Sequence, residues 1–265
     1  MYRTLQIDRG DSVAMVWMNR PERHNAFDET VIAELTQALR ELDVDSGVRV
    51  VVLAGRGKSF SAGADLQWMQ RAAGYSMEEN LRDARALAGM LRTLAFLSKP
   101  VIARVHGVAI AGGTGLVSAC DIAIASTQAS FAVAEVKFGL IPSAISPYVI
   151  AAIGERQARR YFLSAERISA GRALELGLVH EVTEPEQLDA KVNETVSALL
   201  AGGPKSQSAA KDLIRAIANR PITDALVEDT AQRIANLRVT PEAIEGISAF
   251  LEKRPPGWIG KLTPD

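Results

Sequence analysis

The sequence predicts an α/β fold in which buried strands alternate with amphipathic helices, and three observations carry that prediction. Short β-branched runs such as Val48-Arg-Val-Val-Val-Leu-Ala54 and Val101-Ile-Ala-Arg-Val105 read as strands buried on both faces, the mark of parallel pairing. Between such runs, apolar residues recur at three- and four-residue spacing, the period of a helix with one face on a core. After Val182 only the helical period remains, which sets a C-terminal helical region apart.

Taken in order, Leu5 and Ile7, then Val13-Ala-Met-Val-Trp-Met18, flank the turn Arg9-Gly-Asp11 and read as a hairpin. Asp28 is placed to cap a helix whose Val31, Ile32, Leu35, Leu39 and Leu42 share one face and which ends before Gly47. Strand 48–54 leads through the glycine loop Gly55-Arg-Gly-Lys-Ser-Phe-Ser-Ala-Gly63 into a short helix over 66–71. From Ser76 to Leu97, the residues Leu81, Ala84, Leu87, Leu91 and Leu94 predict the buried stripe of a longer helix, which Pro100 stops. A second round follows: strand 101–105, a glycine turn, a helix over 113–120, strand 122–125, a short strand near Phe131, and helices after Pro147 and Ser169. Stripes through Leu188–Leu200, Ala209–Ile217 and Ile234–Leu237 form the last helices, with Gly202-Gly-Pro204 as a hinge. The chain therefore divides into a core, 1–200, and a helical region, 201–265. The apolar stripes of that region suit packing on a neighbouring subunit as well as packing within the chain.

At 265 residues, with 48% apolar and 23% charged, the chain can bury a large core. A net charge of -1 supplies no basic field, so neither nucleic acid nor an anionic membrane is favoured as a partner. The single Cys120 allows no internal disulfide and no cysteine zinc site. The long apolar region Val101–Ala125 is interrupted by Arg104, His106, glycines and Asp121, so it does not read as a membrane span. The opening residues, Met1 to Asp8, alternate like a strand, and the expected location is cytoplasmic. Gly55-Arg-Gly-Lys-Ser59 lacks the first glycine of a phosphate-binding loop, because Val52 stands there. No dinucleotide fingerprint follows a strand, and neither a serine elbow nor a paired-histidine zinc motif occurs.

Two small-residue turns and one acid remain. Ser61-Ala-Gly-Ala-Asp65 and Ala111-Gly-Gly-Thr-Gly115 let the backbone approach a ligand closely, and the helix that begins at the second presents unpaired N–H groups. Further along, Glu135 lies among Phe131, Val133, Val136 and Phe138, neighbours that raise a carboxyl pKa unless a cation counters the burial. Amide donors beside such an acid suit chemistry on an enolate. Each feature also has a plain structural use: a turn capped by Asp65, close helix–strand packing, or an ion pair from Glu135 to Lys137 or to a neighbouring chain.

Several runs together carry a resemblance. They are Asn19-Arg-Pro-Glu-Arg-His-Asn-Ala26, Gly57-Lys-Ser-Phe-Ser-Ala-Gly-Ala-Asp-Leu66, Lys99-Pro-Val-Ile-Ala103, Gly107-Val-Ala-Ile-Ala-Gly-Gly113, Ala119-Cys-Asp121, Glu135 with Gly139-Leu-Ile-Pro142, and Ala170 to Leu178. Spread over essentially the whole chain, they resemble the enoyl-CoA hydratase/isomerase (crotonase) family. The resemblance implies a crotonase-like spiral of ββα turns with a C-terminal helical trimerisation region, assembled as trimers or dimers of trimers. It implies an acyl-CoA thioester as substrate, coenzyme A entering as part of that substrate, and no separate cofactor or metal. By position, the N–H groups of Ala62 and Gly112 become an oxyanion hole for the thioester oxygen and Glu135 the acid/base. Arg23, His24, Asn25 and Ala26, with Ala64, Asp65 and Leu66, would cradle the adenine and pantetheine, and Phe250 and Lys253 would reach the coenzyme.

Family hydratases place two glutamates around the attacking water. The second matches Glu135, and the first falls on Gly115. Three accounts follow: hydration by Glu135 alone, double-bond isomerisation, for which one carboxylate suffices in the family, and acyl-CoA binding without turnover. The segment Ile141-Pro-Ser-Ala-Ile-Ser-Pro-Tyr-Val149 resembles the branch that hydrates methylglutaconyl-CoA or isohexenylglutaconyl-CoA, which weighs toward hydration of a branched or carboxylated 2-enoyl-CoA. On that reading the space at Gly115 admits the acyl group or an ordered water, and Ser143, Ser146 or Tyr148 positions it.

Overall fold

The computed structural model describes residues 2–259. Strands β1 (Leu5–Gly10) and β2 (Val13–Met18) form the expected antiparallel hairpin, with Leu5 opposite Met18. Along β2, buried Ala14, Val16 and Met18 alternate with half-buried Val13, Met15 and Trp17, so one face lies on the core. Helix α1 (Glu29–Val44) starts where Asp28 accepts the N–H groups of Thr30 and Val31, and it buries Val31, Ile32, Leu35, Ala38, Leu39 and Leu42. Every residue of β3 (Val50–Gly55) is buried, as a strand covered on both faces must be.

After β4 (Ser59–Ser61) come α2 (Leu66–Ala72), capped by Asp65, and α3 (Met77–Ala95), opened by a capping box between Ser76 and Glu79. The expected stripe of α3 is only half realised. Met90, Leu91 and Leu94 are buried and Leu87 is half-buried, but Leu81 and Ala84 are exposed, and Asp83 takes the half-buried position on that turn. Period reports which residues share a face; burial depends on what lies opposite it.

The next rounds are β5 (Val101–Val105), β6 (Val108–Ile110) and α4 (Gly112–Ala119), then β7 (Ile122–Ser126), β8 (Ser130–Ala132) and α5 (Ser146–Ser164). Gly154, at φ 74°, breaks α5 into two helical runs. Then β9 (Ile168–Ser169), α6 (Ala170–Leu176) and β10 (Glu181–Thr183) complete this part. One sheet runs β1-β2-β3-β5-β7-β10, parallel beyond the first hairpin; the other runs β4-β6-β8-β9, parallel up to β8. Each round thus gives one strand to each sheet before its helix, which is a spiral of ββα turns. Its core gathers Leu53, Phe60, Leu91, Val105, Leu116 and Phe131 between the sheets and helices.

Helix α7 (Leu188–Ala201) precedes α8 (Pro204–Ile217), α9 (Asp224–Arg238) and α10 (Pro241–Leu251). The chain divides into two compact units after Glu194, inside α7, whereas the composition break at Gly202-Gly203 places the division after residue 200. A helix continuous across a change of contacts carries no glycine or proline signal there. In the second unit a groove of about 480 Å³ runs between α8 and α9, lined by Ala209, Leu213, Arg233, Ile234 and Leu237 among others. Ile214, Ile244, Ile247, Phe250 and Leu251 are exposed.

Candidate active site

The loop after β4 is held by Phe27 and its neighbours. The Phe27 N–H donates to Gly63 O at 2.6 Å and the Asp65 N–H donates to Phe27 O at 2.7 Å, a single parallel bridge centred on Ala64. In that geometry the residues on either side face Phe27, so the N–H of Ala64 points to the opposite side. Among the described residues it meets no acceptor. Ala62, the expected oxyanion donor, is different: its N–H donates to His24 O at 2.9 Å and is engaged in holding the loop. The open amide of this turn is therefore that of Ala64, and the expectation for Ala62 is corrected.

The second turn is strained and tightly packed. Ala111 adopts φ 50°, ψ -116°, and its N–H donates to Ala132 O at 2.7 Å. Gly112 opens α4, and the first intrahelical bond runs from the Gly115 N–H to Ala111 O at 3.0 Å, so the Gly112 N–H is a helix-start donor that meets no acceptor among the described residues. A Cβ on Gly112 would stand 2.6 Å from Phe27 Cε2. Phe27 thus touches both turns, bridging Ala64 through its backbone and packing under Gly112 with its ring. Sequence reasoning missed Phe27, whose only signal is an aromatic residue just after the Asn25-Ala26 turn.

Glu135 follows a strand that is tied to the second turn. Ala132 O, at the end of β8, accepts from the Ala111 N–H and from Thr114 Oγ1, the latter at 3.0 Å, which fastens β8 to the first turn of α4. Glu135 then begins a 3-10 turn over Glu135–Phe138. Its Oε2 is buried and meets no hydrogen-bond partner among the described residues. Burial pushes the carboxyl above its ordinary value, partly countered by the N–H groups of Glu135 and Ala134. Lys137 is exposed, and no ion pair to Glu135 forms among the described residues.

Gly115 does not open a space. A side chain there would collide with Ile145, whose Cγ2 lies closest and whose Cβ stands 2.8 Å from an ideal Cβ at 115. Ile145 is only 2% exposed, so the room left by the missing side chain is already filled, and neither acyl group nor water is admitted at that point. The expected positioning residues fare unevenly. Ser143 is exposed in the turn before α5, and the Ser146 hydroxyl donates to Ser143 O at 2.8 Å, closing that turn. Tyr148 is half-buried; burial raises its phenol pKa, and Arg92 of α3 pulls it back.

Around the first turn, Arg20 does much of the organising, and sequence reasoning did not single it out. Its guanidinium lies 3.0 Å from Asp28 and 3.3 Å from Asp65, and it donates to Ala26 O at 2.8 Å. Asn25 is 1% exposed at φ 53° and donates to Arg56 O and Ser59 O. Asp65, expected to face the coenzyme, is instead a buried cap: it accepts the N–H groups of Gln67 and Trp68 and pairs with Arg20. Burial pushes its carboxyl up, but those amides and Arg20 outweigh it and hold it below the usual range. Arg23, His24 and Leu66 are exposed and Ala26 is buried. His24 Nδ1 lies 3.1 Å from Ser59 Oγ. In the second unit, Phe250 is exposed on α10 and Lys253 adopts φ 54°, its N–H donating to Phe250 O.

The enoyl-CoA hydratase/isomerase family model matches residues 8–261. The solved structure of an enoyl-CoA hydratase from Shewanella pealeana is 42% identical, with a TM-score of 0.94 over 97% of this chain and 96% of that one. An enoyl-CoA hydratase from Mycobacterium smegmatis is 36% identical, with a TM-score of 0.90 over 96% of this chain and 98% of that one. Crotonyl-CoA hydratase of Syntrophomonas wolfei is 32% identical over 98% of this chain and 99% of that protein. The ββα spiral and a family match that spans it show that this chain belongs to the enoyl-CoA hydratase/isomerase family, as an enzyme of the crotonase superfamily.

Proposed function

We propose that the protein adds water to a 2-enoyl-CoA, with the thioester oxygen between the N–H groups of Ala64 and Gly112 and Glu135 as the one proton carrier. The observation behind this reading is the buried Oε2 of Glu135, which meets no partner among the described residues and lies three residues after Ala132, whose carbonyl accepts the Ala111 N–H next to Gly112. Water attacks the β-carbon as Glu135 takes its proton, the electron pair moves onto the thioester oxygen, and Glu135 returns the proton to the α-carbon. Fixed amide dipoles meet charge that exists only along this path, and one such donor is worth about 100- to 1,000-fold in rate. A carboxyl raised by burial is better matched to giving and taking a proton near neutrality.

The acyl group in this reading is branched or carboxylated, as in 3-methylglutaconyl-CoA, on the resemblance of segment 141–149; Tyr148 with Arg92 nearby supplies polar groups suited to a carboxylate. Coenzyme A is part of the substrate and no further cofactor takes part. The assembly is a homo-trimer or a dimer of trimers, supported by the exposed Ile214, Ile244, Ile247 and Phe250. Loss of enoyl-thioester absorbance across a panel of 2-enoyl-CoAs tests the reaction, and light scattering tests the assembly. No water addition to any member of the panel sinks the reading.

Ile145 favours a second reading. With one carboxylate and an apolar wall at Gly115, Glu135 can move a proton between carbons, and a 3-enoyl-CoA would then gain conjugated absorbance.

A further inference from the structure

Three elements meet at position 115. Thr114 ties the first turn of α4 to the end of β8, from which the chain runs directly to Glu135. From the other side Ile145 stands at the N-cap of α5, where its carbonyl accepts the N–H groups of Tyr148 and Val149, each at 3.1 Å. That fixes the Ile145 backbone, and its β-branch restricts the side chain to few rotamers. The residue is 2% exposed and its Cγ2 occupies the volume a side chain on residue 115 would need. Glycine at 115 and isoleucine at 145 are therefore a reciprocal fit: the first is required by the second.

The chemical consequence follows from what water needs. A water held for attack requires two or more polar partners, and an apolar wall supplies none. Water addition breaks an O–H bond, forms a C–O bond at the β-carbon and passes the proton through Glu135 to the α-carbon. Double-bond migration removes an α-proton from a 3-enoyl thioester and returns it to the γ-carbon, with no atom gained. Both use one carboxylate; only the first needs an anchored water.

We propose that Ile145 is a specificity-determining residue: its β-branch, seated on the bare Cα of Gly115, holds the site to one proton-carrying side chain and sets the relative rates of water addition and double-bond migration, which pass through different enolates. The inference rests on Glu135 as that proton carrier.

Two substitutions isolate the β-branch. Ile145→Leu keeps the volume but removes Cγ2 from above Gly115, whereas Ile145→Val keeps both γ-carbons and loses only the terminal methyl. Both reactions are measured in each variant with 2-enoyl- and 3-enoyl-CoA thioesters of the same chain length. The ratio of water addition to migration rises roughly ten-fold or more in Ile145→Leu, the scale of one methyl group in a pocket, and moves less than about two-fold in Ile145→Val. A second measurement uses Gly115→Glu in the Ile145→Gly background, where the collision is relieved. Water addition there exceeds that of Ile145→Gly alone by about ten-fold or more, while Gly115→Glu by itself unfolds at lower temperature than the parent. Equal ratios in the Leu and Val variants, or a folded double variant no faster than Ile145→Gly, overturns the proposal. Glu135→Gln is run in parallel: if it retains either reaction, the reading of Glu135 fails on its own account, whatever the ratios show.

Discussion

The ring of Phe27 lies against Gly112 so closely that a methyl group on that glycine would stand 2.6 Å from Cε2, while the Phe27 backbone pairs with Ala64. One residue thereby sets the spacing of the two open amides.

Gly112→Ala is expected to push Phe27 aside and misalign the Ala64 amide. The loss in kcat/KM should approach about 100- to 1,000-fold, the value of one oxyanion donor. Phe27→Leu, which removes the ring under Gly112, should restore part of the rate to the Gly112→Ala chain. Steady-state kinetics of the single and double variants checks this, and purely additive losses refute the Phe27 link.

Glu135 acts as a base only when ionised, so kcat/KM should rise with pH through a pKa above the ordinary 4.5, because burial raises it. Stability carries the opposite sign. A carboxyl whose folded pKa is raised costs stability once pH exceeds its unfolded pKa, so Glu135→Gln should melt higher than the parent at neutral pH. That advantage should vanish as pH falls below the unfolded value, where both forms are neutral. Thermal melts across pH test the stability arm, and pH–rate profiles the catalytic one.

Asp65→Ala removes the cap of α2 and one partner of Arg20. A stability loss of about 0.5–2 kcal/mol is expected from the cap. Asp65 is held below its usual range, so its contribution is present above the unfolded pKa of 3.8 and is lost as pH falls through the lower folded value. Urea unfolding of parent and variant at neutral and acid pH reads both effects; a gap that persists unchanged in acid contradicts the linkage.

Asp83 sits where an apolar residue would complete the stripe of α3. Burial raises its carboxyl, the Trp68 indole lowers it, and Glu29 raises it further. Asp83→Asn keeps the shape without the charge, so it should raise the melting temperature at neutral pH and leave it unchanged in acid, with turnover unaffected. A lower melting temperature at neutral pH argues against this account.

Strands and helices could be read from the sequence because their periods are local: the alternation along β2, the caps Asp28 and Ser76, and the stripe of α1 all depend on near neighbours. Glu135 was readable for the same reason, as an acid inside an apolar run. Which amide of the first turn stays open was not, because Ala62 and Ala64 differ only through their long-range partners His24 and Phe27. Gly115 misled in the same way: a missing side chain looks like vacant space until the residue that fills it, Ile145, arrives from another element.

That last fit has an evolutionary corollary. A side chain introduced at 115 alone meets the β-branch of Ile145, whatever acid it carries. A second carboxylate at 115 requires position 145 to shrink first, so the order of the mutations, and not merely their identity, restricts which chemistries lie within reach of this scaffold.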